Sequence, residues 1–249
     1  AAQDGFDCVA IAGGDGTINE TVMGLREGAM LPILLVPTGS TNLVAQELGV
    51  PKASTQAIRL LEEGEERPCD LANVTSHDRI MVTSVAVGYG SRIVEDAKEV
   101  LKNFLGYPAY IVAAVKNIIR VPTASFTCTV DGVSATLTGQ MAMVSNMNMT
   151  SLKLVNFGPR VRPDDGKLNL IVFNHSSVTK MVELVANMVL FPDKPKPELT
   201  ILEGTNIAIR ATPTLPVTID GEMVQGDMVR IACLPSAMTV IVPKKTKHL

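Results

Sequence analysis

Cys8-Val9-Ala10-Ile11-Ala12-Gly13-Gly14-Asp15-Gly16-Thr17 is the stretch on which the fold turns. Its first half is a short, unbroken apolar run, the pattern of a parallel strand covered on both faces. Its second half is a glycine turn, after which Ile18, Val22 and Leu25 recur at helical spacing. The unit then repeats. Ile33 to Val36 reads as a second buried strand, Pro37-Thr38-Gly39-Ser40-Thr41-Asn42 as its turn, and Leu43 to Leu48 as a helix closed by Gly49 and Pro51. Ser54 is placed to cap a further helix through Leu60 and Leu61, ending near Gly64. Strand, glycine turn and helix in alternation predict an open, mostly parallel α/β sheet.

The pattern changes near Arg67-Pro68-Cys69-Asp70. Apolar residues alternate with period two over Ile80 to Val87, Ser125 to Val130, Val133 to Leu137, Ala142 to Ser145 and Leu168 to Phe173. Asp131-Gly132 between two of these runs is a hairpin signal. Further strands are expected at Asn206 to Ala211, Val217 to Ile219 and Thr239 to Val242. Helical stretches at about Ile93 to Arg120 and Val178 to Leu190 interrupt them. This predicts an antiparallel sandwich with helical insertions.

Composition narrows the function. The 249 residues are 46% hydrophobic and 19% charged, with mean hydropathy +0.25, which is the make-up of a packed globular protein. No tryptophan and 4% aromatics argue against a platform for stacked bases, and a net charge of −3 gives no drive toward nucleic acid. Cys8, Cys69, Cys128 and Cys233 are far apart, without the paired spacing of a zinc site, and fit a reducing compartment. His77, His175 and His248 are scattered, and no GxSxG elbow anchors a hydrolase triad. The stretch Met141 to Met149 reads as core. No apolar run reaches the roughly 20 residues of a spanning helix. Residues 1–66 carry ten acids and three bases, whereas the remainder carries fifteen and nineteen. The basic excess of the second part is either surface chance or the mark of contact with an anionic lipid leaflet.

Two glycine turns at neighbouring strand ends lie at the carboxyl edge of the sheet, where ligands of open α/β folds bind. Backbone amides at a helix start favour phosphate. Asp15 fits beside phosphate only with a cation such as Mg²⁺ between them, or as a residue that orients a loop. The string lacks the Lys of a Walker turn. Asp220-Gly221-Glu222 and Arg162-Pro163-Asp164-Asp165-Gly166-Lys167, taken alone, are turn material.

In order, these motifs resemble the diacylglycerol kinase catalytic family, bacterial lipid kinases related to sphingosine kinases. The resemblance runs from Ile11 through Glu20, Pro37 through Asn42 with Leu48-Gly49, Pro68 through Leu71, Gly106 through Tyr110 and Pro163 through Leu168 to Asp220 through Glu222. It implies an NAD-kinase-like α/β nucleotide domain formed by residues 1–66 and 237–249, and a β-sandwich lipid-substrate domain formed by residues 67–236. The family would begin with a further strand-helix-strand portion bearing an NPxSG-like turn. A βαβ unit of roughly 30 residues is therefore expected to be missing from the front.

The resemblance implies an ATP-dependent kinase acting on a membrane lipid hydroxyl, diacylglycerol first, with a sphingoid base or phosphatidylglycerol as alternatives. A catalytically inactive lipid- or nucleotide-binding member is the other alternative. Gly14, Asp15, Gly16, Thr17, Ile18, Asn19 and Glu20 would hold the nucleotide phosphates, joined by Ser40, and Glu222 would be the general base, with Asp15 beside it in the catalytic set. Asp165 and the carbonyls of Arg162 and Lys167 would match a structural Mg²⁺ site. Leu43 stands where relatives carry an acid, which bears on acceptor choice. The expected setting is cytoplasmic, peripheral at the inner membrane surface, with a lipid substrate, a homodimer as the assembly and no nucleic acid.

Overall fold

The computed structural model describes residues 5–25, 31–88, 123–148, 161–174 and 199–244. The predicted helices at Ile93 to Arg120 and Val178 to Leu190, the Gly106 to Tyr110 motif, His175 and His248 lie outside them.

The α/β alternation is present. β1 (Val9–Gly13) leads into α1 (Asp15–Leu25), and β2 (Ile33–Pro37) leads into α2 (Leu43–Glu47) and α3 (Ser54–Glu63). β1 and β2 pair in parallel, with Val9 beside Ile33 and Gly13 beside Pro37. All of β2 is buried, as expected. β1 differs: Ile11 is buried, but Ala10 and Ala12 are exposed. The cause is position, because β1 is the terminal strand of its sheet among the described residues. Ser54 does not cap α3. It is the first helical residue, and the N-cap Ala53 makes no side-chain bond.

β3 (Glu65–Val74) and β4 (Arg79–Met81) form an antiparallel pair. β5 (Ser84–Gly88) follows after a break at Val82 and Thr83, so the single strand expected over Ile80 to Val87 is two. The break has a physical reason. The amides of Val82, Thr83 and Ser84 donate to the Asp220 carboxylate at 2.7, 2.8 and 2.9 Å, which turns the chain.

β6 (Ala124–Val130) and β7 (Val133–Gly139) make the predicted hairpin. Asp131 and Gly132 both have positive φ, 47° and 85°, which a two-residue turn of this kind requires. β8 (Met141–Ser145), β9 (Leu168–Phe173), β10 (Leu199–Gly204), β11 (Asn206–Thr212), β12 (Val217–Ile219), β13 (Glu222–Val224) and β14 (Met228–Val242) complete the strands.

The strands build two sheets. One runs β1-β2-β14-β11-β6-β7, with β3 also on β14 and β4 on β3; the other runs β10-β9-β8-β5-β12-β13. β14 joins the α/β unit to the sandwich. It is antiparallel to β11 at Ala232 and to β3 from Ile231 to Val242, and it is parallel to β2 where Val240 meets Ile33. Two apolar cores result. Cys69 and Leu71 of β3 pack with Met238 and Val240 of β14 in the first, beneath α1 and α3. Ala72 and Val74 of β3 pack with Val229 and Ile231 of β14 in the second, around Phe126 and Leu170. Met143 and Met147 are buried, as expected of core methionines. Positions 66/67 and 236/237 both fall inside these shared strands.

Candidate active site

The two glycine turns touch. A side chain on Gly39 would bring its Cβ to 2.6 Å from the Gly14 Cα, so the backbones meet where only glycine fits. Thr38 N donates to Gly13 O at 3.1 Å. Asn42, at φ 51°, folds back on Gly39: its Oδ1 accepts from Gly39 N at 2.9 Å and its Nδ2 donates to Gly39 O at 2.7 Å.

Asp15 locks the pair together. Its two oxygens accept the amides of Leu43 and Val44, both at 3.0 Å, so this first residue of α1 caps the start of α2. Of the two roles open to Asp15 from sequence, loop orientation is the one its contacts fill. The amides of Asp15, Gly16 and Thr17 head α1 and have no intrahelical partner. Gly16, Thr17, Glu20 and Ser40 are exposed around this cradle. Ile18 departs from expectation: its side chain is core and its amide donates to Gly14 O at 3.1 Å, so it offers nothing to a phosphate.

The acidic turn comes to α1. Asp220 and Gly221, with φ 48° and 87°, turn β12 into β13 and carry Glu222 at the start of β13. Asp220 points its carboxylate inward, where it accepts Thr83 Oγ1 at 2.6 Å, the three amides named above, and Asn19 Nδ2 at 2.5 Å. Burial pushes the Asp220 carboxyl up, against the hydrogen bonds from Thr83, Val82 and Ser84. Glu222 is exposed, and its Oε2 lies 2.5 Å from Arg79 Nη1. Asn19 is one turn beyond Asp15, about 6 Å along the helix axis. The cradle and the hairpin therefore meet across α1.

The 162–167 loop lies elsewhere, docked on β3 and β14. Asp70 fills the β14 bulge between Leu234 and Met238, where its carboxylate accepts Ser236 N at 2.8 Å and Gly166 N at 2.7 Å. Asp70 N donates to Pro163 O at 2.6 Å. Asp164 bridges Arg67 and Arg162 at 2.6 and 3.0 Å. Asp165 accepts Lys167 N at 3.0 Å, and burial, with the Asp70 charge adding to it, pushes its carboxyl up. The Asp165 carboxylate, with the Asp70 charge near it, is a hard oxygen donor of the kind a divalent cation takes. Among the described residues no three His, Cys, Asp or Glu side chains converge as a metal cluster, so carbonyls would have to complete such a site.

Sequence reasoning missed Asp220, Arg79 and Asp70 as positioning groups. Asp220 and Asp70 lie inside the Asp220–Glu222 and Pro68–Leu71 motifs, but nothing in a turn string shows which amides its acid will hold. Arg79 carried no signal at all.

Comparison with known proteins agrees with this architecture. The YegS C-terminal NAD kinase beta sandwich-like domain matches residues 83–242, and the diacylglycerol kinase catalytic domain matches residues 1–74. The chain belongs to the family that joins these domains, the YegS-like lipid kinases related to diacylglycerol kinases. Lipid kinase YegS of Escherichia coli K12 is 28% identical over 253 residues, which span 98% of this chain and 80% of that protein. An uncharacterized Synechocystis protein is 23% identical over 244 residues, and this chain spans 56% of its length. Among solved structures, a diacylglycerol kinase from Bacillus anthracis shares the fold with TM-score 0.72 and 20% identity, covering 97% of this chain and 78% of that one. An NAD kinase from Archaeoglobus fulgidus, solved in complex with ATP, does so with TM-score 0.54 and 17% identity, covering 96% and 79%. Among the described residues no helix is long and apolar enough to cross a membrane.

Proposed function

We propose that the protein is an ATP-dependent lipid kinase that transfers the γ-phosphate to the hydroxyl of diacylglycerol at a membrane surface, giving phosphatidic acid. The Asn19–Asp220 contact supports this most directly, because it brings the hairpin of a candidate base onto the helix that heads a phosphate cradle. The α1 amides and the Ser40 hydroxyl would neutralise the phosphates. Glu222 would take the proton of the acceptor hydroxyl as its oxygen attacks the γ-phosphorus and the bond to the β-phosphate oxygen breaks, releasing ADP. Asp15 would keep the two turns in register. Asp165, with the carbonyls of Arg162 and Lys167, would hold Mg²⁺, which would there supply charge that fixes the loop against Asp70.

Labelled ATP and mixed lipid micelles test the reading. Wild type with Mg²⁺ is expected to label diacylglycerol, and Glu222→Gln to lower turnover by about 10²–10⁴-fold. Labelling of no lipid would leave a binding protein instead, and unchanged labelling in Glu222→Gln would remove the base assignment.

A further inference from the structure

The family resemblance makes Asn19 a phosphate ligand, but its side chain is committed elsewhere. Nδ2 donates to Asp220 Oδ2 at 2.5 Å and to Ile80 O at 3.4 Å. An amide nitrogen has two hydrogens, and these two acceptors take both. The remaining oxygen is an acceptor and would repel a phosphate. We propose that Asn19 is a positioning residue that fastens the nucleotide-binding helix to both strands holding Glu222. The reading rests on the kinase function proposed above.

The two acceptors carry the case. Asp220 sits in the turn that presents Glu222, so the first bond fixes the hairpin. Ile80 follows Arg79, the partner of Glu222, so the second fixes the strand that grips the base. One turn further along α1, Met23 Sδ accepts Ile80 N at 3.0 Å. The helix thus takes both the carbonyl and the amide of one β4 residue. The bond to Asp220 is short, at 2.5 Å, and joins α1 to a turn 201 residues away in sequence. The other donors to Asp220, Val82, Thr83 and Ser84, lie where β4 passes into β5 and not on α1. Among the described residues Asn19 alone carries a hydrogen bond from α1 to this carboxylate. Displacement of the base by about 1 Å would cost about 10²-fold in rate.

The test compares Asn19→Ala and Asn19→Asp with wild type in the full chain by three measurements. These are ATP affinity by calorimetry, hydrogen exchange of residues 217–224, and turnover with dioctanoylglycerol micelles. Asn19→Ala is expected to keep ATP affinity within about twofold, to speed exchange of the hairpin about tenfold, and to lower kcat about 10²-fold with KM for ATP unchanged. Asn19→Asp sets a second carboxylate against Asp220 and is expected to exceed Asn19→Ala in exchange and in kcat loss. A tenfold loss of ATP affinity in Asn19→Ala overturns the proposal in favour of phosphate binding, and unchanged exchange in the hairpin overturns it by showing that Asn19 fastens nothing. Affinity and exchange decide it even if wild type phosphorylates no lipid, and that failure would fall on the kinase reading alone.

Discussion

Arg79 Nη1 and Glu222 Oε2 lie 2.5 Å apart in an ion pair open to solvent, with side chains 41% and 62% exposed. Water screens such a pair, so its contribution to stability is at most about 1 kcal/mol. Its value is geometric, because it holds a flexible carboxylate in one place. Arg79→Ala is expected to leave the melting temperature nearly unchanged and to lower kcat about tenfold, with Arg79→Lys in between. Steady-state kinetics beside a thermal melt would show it. An unchanged kcat in Arg79→Ala would leave the pair without a role in placing the base.

Asp15 ties the start of α1 to the start of α2, a helix of five residues with little stability of its own. Asp15→Ala should cost about 1–2 kcal/mol, as loss of a capping acid does. It should also weaken ATP binding, since the two turns then separate. Urea unfolding gives the first number and calorimetry the second. Weakened ATP binding without any loss of stability would point to contact with the nucleotide rather than to turn alignment.

Two glycines a short distance apart should respond in opposite ways. A Cβ on Gly39 would meet the Gly14 Cα at 2.6 Å and Asn42 Oδ1 at 2.9 Å, whereas a Cβ on Gly16 meets nothing within 4 Å. Gly39→Ala must push the turns apart, at about 1–3 kcal/mol, with loss of ATP affinity. Gly16→Ala lies in the first turn of α1 and should be neutral or stabilising by up to about 1 kcal/mol. Urea midpoints for both would decide, and equal destabilisation would contradict the close approach.

The local signals were legible where local chemistry decides structure. The run ending in Gly13-Gly14 gave strand and turn, and Asp131-Gly132 gave its hairpin, because both rest on neighbouring residues. What stayed hidden was non-local. Only Thr239 to Val242 of β14 reads as a strand, yet it runs from Met228 through Pro235 to Val242, because the Asp70 carboxylate and the β3 backbone carry it across the bulge. Asn19 read as a phosphate ligand because its motif says so; its acceptor lies 201 residues away. Arg79 is an unremarked basic residue until its guanidinium meets the Glu222 carboxylate.

The Asp131 carboxylate accepts the amides of Thr205 and Asn206 and the Thr205 hydroxyl, clipping one hairpin to the β10–β11 turn. These bonds, that from Asn206 foremost, hold its carboxyl below the ordinary value. A depressed folded value means that the clip is complete above the unfolded value of about 3.9 and is lost as pH falls through the folded one. The amide resonances of Thr205 and Asn206 should therefore titrate with a midpoint below 3.9. Asp131→Asn should abolish that titration. A midpoint at or above 3.9 would mean the clip does not form in solution.

Thiol chemistry offers a check on both cores at once. Burial pushes the Cys69 thiol up to about 12, with Asp164 and Asp70 adding to it against Arg67. Burial likewise raises Cys128 and Cys233 to about 11. Cys8, at the entrance to β1, is half-buried and unpaired. Thiolate is the reacting form, so at pH 8 the three raised thiols present at most about one molecule in 10³. A chromogenic disulfide reagent should find one fast thiol in the native protein and all four after denaturation. The β3–β14 seam encloses Cys69 and carries Cys233, so Asp70→Ala, which empties the bulge and frees the 162–167 loop, should quicken both while leaving Cys128 slow. Uniform reactivity of the three in Asp70→Ala would mean that the seam opens only by global unfolding.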